Sequence, residues 1–545
     1  MADSFSWLMS GLYGLHIVLL ALVLKVTQFV TEDITPAIID YYYLFLYSLA
    51  AVLMIGYQPL VTYCYTKKEH IGFAKSHHVN NRWLKGVVAT FGLAIIIKDG
   101  LEFIAFLGID SSMCPDKALY ASVPILHGLF IIVQVSFLFH YSKVFIQDFP
   151  SLSRFGVMHV VATNLSIWTA TIIDETAGAL LGHDEGTTAT PTGPTPHLNH
   201  DNVSHNVSKL SAIRNCTCDQ EFCKTISVAE SFLFPFLIEF SLVACCLLYV
   251  TWKNVGKDPP ACQHIVKPSY KLYRSYRGVI AGCAVLFATV VIIIVLATTS
   301  SGLPKEQRTY YTENNFLLIY NVFMVTIQSL MTLACVCGFY LFWKTSHEQK
   351  QEGEDLDAAL LLICLVGPIL VETFSVLAII VGDDNKIYGW IMSLGYPISD
   401  SIQCVGQDAK VIETIEQPKR QHLVSITTRS DEQDETSTSR QRKNTLASLP
   451  PKSLAKSVKI VAETKIPDPN KTRLMLRDII MFLLIANACL WMFWSLEGTA
   501  FVIYTYPYVY YGHSAWTTIA MVCKPLLIFF RMHSAACLFE MWSFA

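Results

Sequence analysis

Apolar runs of about 20 residues or more recur along the whole of this 545-residue chain, twelve of them, and each matches the roughly 30 Å of hydrocarbon that a helix has to cross. That recurrence leaves little room for a soluble fold. With 53% hydrophobic and 15% charged residues and a mean hydropathy of +0.42, the chain belongs in a bilayer. The formal charge of −3 is nearly balanced and argues neither for a nucleic-acid partner nor for a basic membrane-surface module.

The pattern predicts spans at 5–29, 41–66, 85–108, 121–141, 153–175 and 228–252, then at 277–298, 315–343, 356–381, 387–408, 474–496 and 516–542. The first run lacks a basic n-region and is long enough to span, so it reads as a retained helix, not a cleaved signal peptide. Lys67, Lys68, Lys75 and Arg82 between spans two and three, and Lys253, Lys257, Lys267, Lys271 and Arg274 between six and seven, put those loops in the cytosol. The segment 410–470 mixes Lys419, Arg420, Arg440, Arg442 and Lys443 with many Ser, Thr and Glu, the composition of a flexible cytosolic linker. Between the fifth and sixth spans, the loop at 177–227 carries Asn202-Val-Ser, Asn206-Val-Ser and Asn215-Cys-Thr, three glycan acceptor triplets that need the extracellular side. An even span count then puts both termini in the cytosol. Of the 16 cysteines most lie in apolar runs, as Cys245 and Cys246 do, and act as small hydrophobes. Cys114, Cys216, Cys218 and Cys223 fall in polar loops, where pairing is open to them and a zinc cluster is the weaker alternative. No metal or cofactor is assigned.

Internal repeats organise the spans. Asn164-Leu-Ser-Ile-Trp168 in the fifth and Asn487-Ala-Cys-Leu-Trp491 in the eleventh share Asn-x-x-x-Trp. Pro235 and Trp252 in the sixth match Pro525 and Trp542 in the twelfth, and Gln134 in the fourth matches Gln403 in the tenth. Six spans restore the starting side, so such halves have parallel topology about an axis along the membrane normal. The expected architecture is an all-α polytopic protein with six-helix halves at 1–252 and 276–545, joined by a cytosolic linker at 253–275.

A charge at the bilayer centre costs about 2.5–3.5 kcal/mol on insertion scales, which makes ionisable residues inside spans functional candidates. The fifth span carries His159, Asn164 and Glu175; eleven residues at about 100° each return Glu175 to within about 20° of Asn164. The alternative is that Asn164 is packing glue and Glu175 already interfacial. Asp400, Gln403 and Gln407 in the tenth span sit at i, i+3 and i+7 on one face, suited to a wet path or to interhelical bonding. Glu239 lies about one turn past Pro235, and the twelfth span offers Arg531, His533 and Glu540. Pairing Glu239 with His533 across the halves would satisfy both charges; Arg531 reads equally as a cytosolic-side anchor. Asp99, Glu102 and Glu372 complete the acids, Glu102 near enough to an end to snorkel, while Asn321 and Gln328 read as packing.

Absences narrow the function. The chain has no phosphate loop, no His-Glu-x-x-His pair and no Gly-x-Ser-x-Gly elbow, so an enzyme lacks a site. It has no Arg-rich voltage sensor and no Thr-Val-Gly-Tyr-Gly filter. What remains is Glu, His, Asn, Gln and Asp, which carry protons and organise water.

Three stretches carry a resemblance: Arg154-Phe-Gly-Val-Met-His159-Val-Val-Ala-Thr-Asn164, Pro235-Phe-Leu-Ile-Glu239-Phe-Ser and Phe530-Arg531-Met-His533-Ser-Ala-Ala. They resemble otopetrin signatures, and the span plan is similar from end to end outside the glycan-bearing loop and the 410–470 linker. The resemblance implies a proton-selective plasma-membrane channel opened or driven by external acid, built as a homodimer, with sterol-like lipid at interfaces and block by external zinc. By motif it implies Glu239 and His533 meeting between the halves, Asn164 with Gln134 in the first half and Asn487 with Gln403 in the second. Asp99, Glu372, Asp400 and Gln407 rest on looser flanking motifs. A path closed to hydrated ions but open to proton hopping would be selective by construction, and Glu and His, with ordinary pKa values of about 4.3 and 6.5, bracket mild acidity. The rivals are a proton-coupled secondary transporter of a small solute and a non-conducting scaffold or sensor.

Overall fold

The computed structural model describes residues 2–30, 34–67, 71–73, 82–109, 114, 116–141, 144–146, 149–187, 221–256, 270–301, 313–345, 356–381, 469–497 and 506–544. Asp400, Gln403, Gln407, the expected span at 387–408, the acceptors Asn202, Asn206 and Asn215, Cys216 and Cys218 lie outside these residues.

Helices account for nearly all of the described chain: α1 (Ala2–Val30), α2 (Pro36–Lys67), α3 (Arg82–Gly108), α4 (Lys117–Tyr141), α5 (Pro150–Thr187) and α6 (Glu221–Asn254), then α7 (Tyr276–Ser301), α8 (Glu313–Thr345), α9 (Leu356–Val381), α10 (Pro469–Glu497), α11 (Tyr506–Tyr511) and α12 (His513–Phe544). Pro36, Pro150 and Pro469 open α2, α5 and α10, where the missing N–H is an orphan in any case and the fixed φ suits the first turn. Pro124, Pro235, Pro368 and Pro525 stand inside α4, α6, α9 and α12, a placement that membrane helices tolerate because neighbours re-satisfy the freed carbonyls. Two three-residue strands, β1 (Ile71–Phe73) and β2 (Val144–Ile146), pair antiparallel with Gly72 opposite Phe145 and tie the α2–α3 connection to the α4–α5 connection.

Ten helices among the described residues are long and apolar enough to cross a membrane, each at an expected span. Their outward faces carry Leu12, Leu15, Leu19, Phe287, Leu333 and Val336, all exposed. Water would penalise such faces and lipid solvates them; this is a multi-pass membrane protein. The expected span at 85–108 forms α3, whose 27 residues reach about 40 Å, but Lys98, Asp99 and Glu102 keep it from being apolar throughout. The loop expected over 177–227 is shorter at both ends, because α5 continues to Thr187 and α6 begins at Glu221. An amphipathic helical extension past the hydrocarbon has no hydropathy signal to mark it.

The chain divides into two units. The first comprises Met1–Ile265, Thr373–Asp384 and Trp491–Phe529, and the second Val266–Glu372, Asn385–Leu490 and Phe530–Ala545; both cut across the expected halves at α9, α10 and α12. In the first unit α1 packs on α5, α5 on α6, α3 against both α4 and α6, and α2 on α4 and α5. Gly14 permits the close α1–α5 approach, since a Cβ there would stand 2.7 Å from Met158 Cγ. Trp252 Nε1 donates to Ser10 Oγ at 3.1 Å while its ring stacks on Trp7 at 4.8 Å. The second unit has its own version: Trp542 Nε1 donates to Ser275 Oγ at 2.8 Å, and the Arg477 guanidinium lies 5.2 Å from the Trp542 ring centre.

Candidate functional site

In the first unit, α5 aims His159 and Asn164 inward. His159 is buried between Tyr13 Oη, 3.0 Å from Nδ1, and the Leu46 carbonyl, 3.4 Å from Nε2. Asn164, fully buried, donates from Nδ2 to the Val160 carbonyl at 2.8 Å, and its Oδ1 has no protein partner. On α4, Gln134 is equally buried, and both its amide atoms lack a protein partner. A buried amide left without a partner costs about 1–3 kcal/mol. Glu175 is half-buried; its neighbour Asp174 makes the contact, accepting from Lys25 Nζ with both oxygens at 2.9 Å.

Glu239 is buried on α6, and Trp491 Nε1 donates to its Oε1. Phe91 and Phe236 pack around that indole at 5.7 and 6.2 Å between ring centres, which fixes the donor against the carboxyl group. Trp491 read in the sequence only as half of a repeat motif. Its repeat counterpart, Trp168, has a buried Nε1 without a protein partner.

In the second unit Asn487 repeats the Asn164 geometry, donating from Nδ2 to the Leu483 carbonyl at 2.8 Å. Its Oδ1 faces a different environment, accepting from Arg531 Nη1 at 3.4 Å. Arg531 is fully buried, the largest side chain to be so among the described residues, which does not fit the reading of it as an interfacial anchor: a guanidinium with no exposed surface is held by internal acceptors. Glu372 and His533 are buried in this unit as well. Glu239 and His533 therefore belong to different units.

Sequence reasoning named Asp99 and Glu102 but missed the partners, Lys98 and His127, with which they form a cluster in the first unit. Lys98 Nζ lies 3.1 Å from Glu102 Oε2 and 3.9 Å from Asp99 Oδ1, while His127 Nδ1 meets Asp99 Oδ2 at 2.8 Å. The signal was present as a Lys and two acids within about one turn on α3, and a His in the apolar middle of α4. Cys114 and Cys223 are disulfide-bonded, and Cys245 and Cys246 are free. Among the described residues no group of three or more His, Cys, Asp or Glu is placed to hold a metal ion.

The otopetrin sequence model matches residues 83–430 and 460–532, well over half of the chain. The chain belongs to the otopetrin family. Its relatives include mouse (Mus musculus) "Proton channel OTOP2", 27% identical over 479 residues that cover 85% of this chain and 82% of the relative. Rat (Rattus norvegicus) "Proton channel OTOP1" is 25% identical over 496 residues, covering 86% and 79%. Human "Proton channel OTOP3" is 24% identical over 489 residues, covering 88% and 76%. For this otopetrin the match takes in α3 to α9, α10 and α11 and most of α12, and so the buried polar residues named above except Ser10, Lys25 and His533.

Proposed function

We propose that this otopetrin is a proton-selective channel of the plasma membrane that conducts H+ in response to extracellular acid, by hopping along water and titratable side chains. The observation that carries the reading is the pair of buried amides, Gln134 and Asn164, left open to water in a unit that also buries Glu239, in a chain whose relatives are named proton channels. A hydrated sodium or potassium ion needs a bore; a proton needs only donors, acceptors and water between them.

Twelve spans in two repeated six-helix halves, with both termini cytosolic, suit this function. The matched Trp252–Ser10 and Trp542–Ser275 bonds, and the matched bonds of Asn164 and Asn487 to the carbonyl four residues back, support the repeat. The disulfide-bonded Cys114 and Cys223 support the orientation, because disulfides persist on the oxidising side of the membrane and these two flank the ends of α3, α4 and α6 opposite the basic loops. Glycans at Asn202, Asn206 and Asn215 belong to the same side. Homodimeric assembly, sterol at interfaces and block by external zinc complete the proposal.

Within it His159, Glu175, Glu372, Asp400, Gln403, Gln407, Asn487 and Arg531 line or tune the proton paths, and Glu239 and His533 relay protons and sense pH. In cells expressing the channel, Glu239→Ala and His533→Ala are expected to lose most of the acid-evoked current at equal surface expression. Full current from both variants would refute that assignment.

A further inference from the structure

The α3–α4 cluster is graded in depth. Side-chain exposure falls from 16% at Lys98 and 14% at Glu102 to 7% at His127 and 5% at Asp99. Glu230, in the third turn of α6, lies within electrostatic reach of Lys98, Asp99 and Glu102. Lys98 fills the space between the Asp99 and Glu102 carboxylates. The His127 ring is held on its other sides by Tyr47 of α2, 4.9 Å between ring centres, and by Phe130 of its own helix at 6.3 Å.

Two features of His127 go beyond a structural ion pair. Asp99 accepts from Nδ1–H, which leaves the Nε2 lone pair as the imidazole's basic site; and Nε2 is buried with no protein partner. Seven residues further along α4 stands Gln134. Two turns return it to within about 20° of His127, about 10 Å deeper, and both its amide atoms are also without a protein partner. An imidazole clamped by a carboxylate, with its free nitrogen facing the same wet stripe as an open amide, is arranged to pass a proton inward.

We infer that His127 is the buried base through which protons enter the first half of this channel. Glu102 and Glu230 gather protons at the outer rim; an N–H bond forms at His127 Nε2 from water; the imidazolium is held by the Asp99 carboxylate; and the same N–H bond breaks to water bound at Gln134. One proton enters and one leaves, so His127 ends as it began. Asp99 is a positioning residue, since it acts through the imidazole. The inference rests on the proton-channel reading and on the proposed orientation.

The test compares wild type, His127→Gln, Asp99→Asn and Asp99→Glu, purified and reconstituted into phosphatidylcholine vesicles with an internal pH dye, as external pH is lowered from neutral to about 5, across the range in which imidazoles titrate. His127→Gln keeps a partner for Asp99 but cannot titrate, and its flux should fall on the order of 10-fold or more. Asp99→Asn keeps the shape and removes the countercharge, so the flux midpoint should move to lower pH. Asp99→Glu should restore most of that shift. If His127→Gln aggregates, the near-isosteric Asp99→Asn decides alone. Wild-type flux and midpoint in His127→Gln and in Asp99→Asn would overturn this inference and leave the channel reading intact. A wild-type protein that moves no protons would overturn both.

Discussion

Lys25 sits toward the C-terminal end of α1 with a buried side chain, and Asp174 of α5 holds its ammonium with both oxygens at 2.9 Å. In lipid such a lysine needs its acid, because the desolvation cost of each charge is offset only by the other. Asp174 retains partial exposure, 35% of its side chain, which discounts the pair below a fully buried one. Lys25→Met and Asp174→Asn are each expected to lower the stability of the detergent-purified protein by ~1–3 kcal/mol, and Lys25→Met combined with Asp174→Leu to recover much of the loss. Thermal melting of the four proteins measures this; strictly additive losses would mean that the two residues are uncoupled. The same pair marks what single residues reveal in a sequence. Hydropathy absorbed Lys25 into an apolar run, and the helical wheel chose Glu175 because it shares a face with Asn164, while the partner for Lys25 was its neighbour Asp174. Periodicity orders residues around one helix; it carries no information about which helix stands opposite.

Single elements were legible where composition is uniform and opaque where charges pair internally. α3 was found as a helix because its apolar run is long, but Glu102 read as near enough to an end to snorkel and Lys98 was passed over, until His127 of α4 and the Lys98–Glu102 contact joined them to Asp99. The end of α6 depends on one backbone conformation. Gly256 takes φ +75° just past Asn254, the left-handed conformation that closes helices. A Cβ there would stand 3.0 Å from Arg154 Nη2, which donates to the Val255 carbonyl at 3.1 Å. Gly256→Ala should therefore cost about 1 kcal/mol from the backbone and displace Arg154 as well, seen as a lower melting temperature than the wild type. Gly256→Asn should cost less, because Asn tolerates that conformation; equal melting of Gly256→Ala and wild type would contradict the account.

Hydropathy accounts directly for ten spans among the described residues, while the repeat motifs carried no information on what each side chain would meet. Asn164 and Asn487 look equivalent in sequence, yet one carbonyl oxygen is open and the other accepts from Arg531. That difference sets the two asparagines in different surroundings, one beside a buried guanidinium and one not. The central claim is that this otopetrin conducts protons and excludes larger cations. Its most direct measurement is lumenal pH in vesicles containing only the purified protein. Under an inward proton gradient the lumen should acidify, and equal gradients of sodium or potassium should drive no flux of those ions. No acidification above protein-free vesicles, or acidification only when a co-transported solute is added, would contradict it.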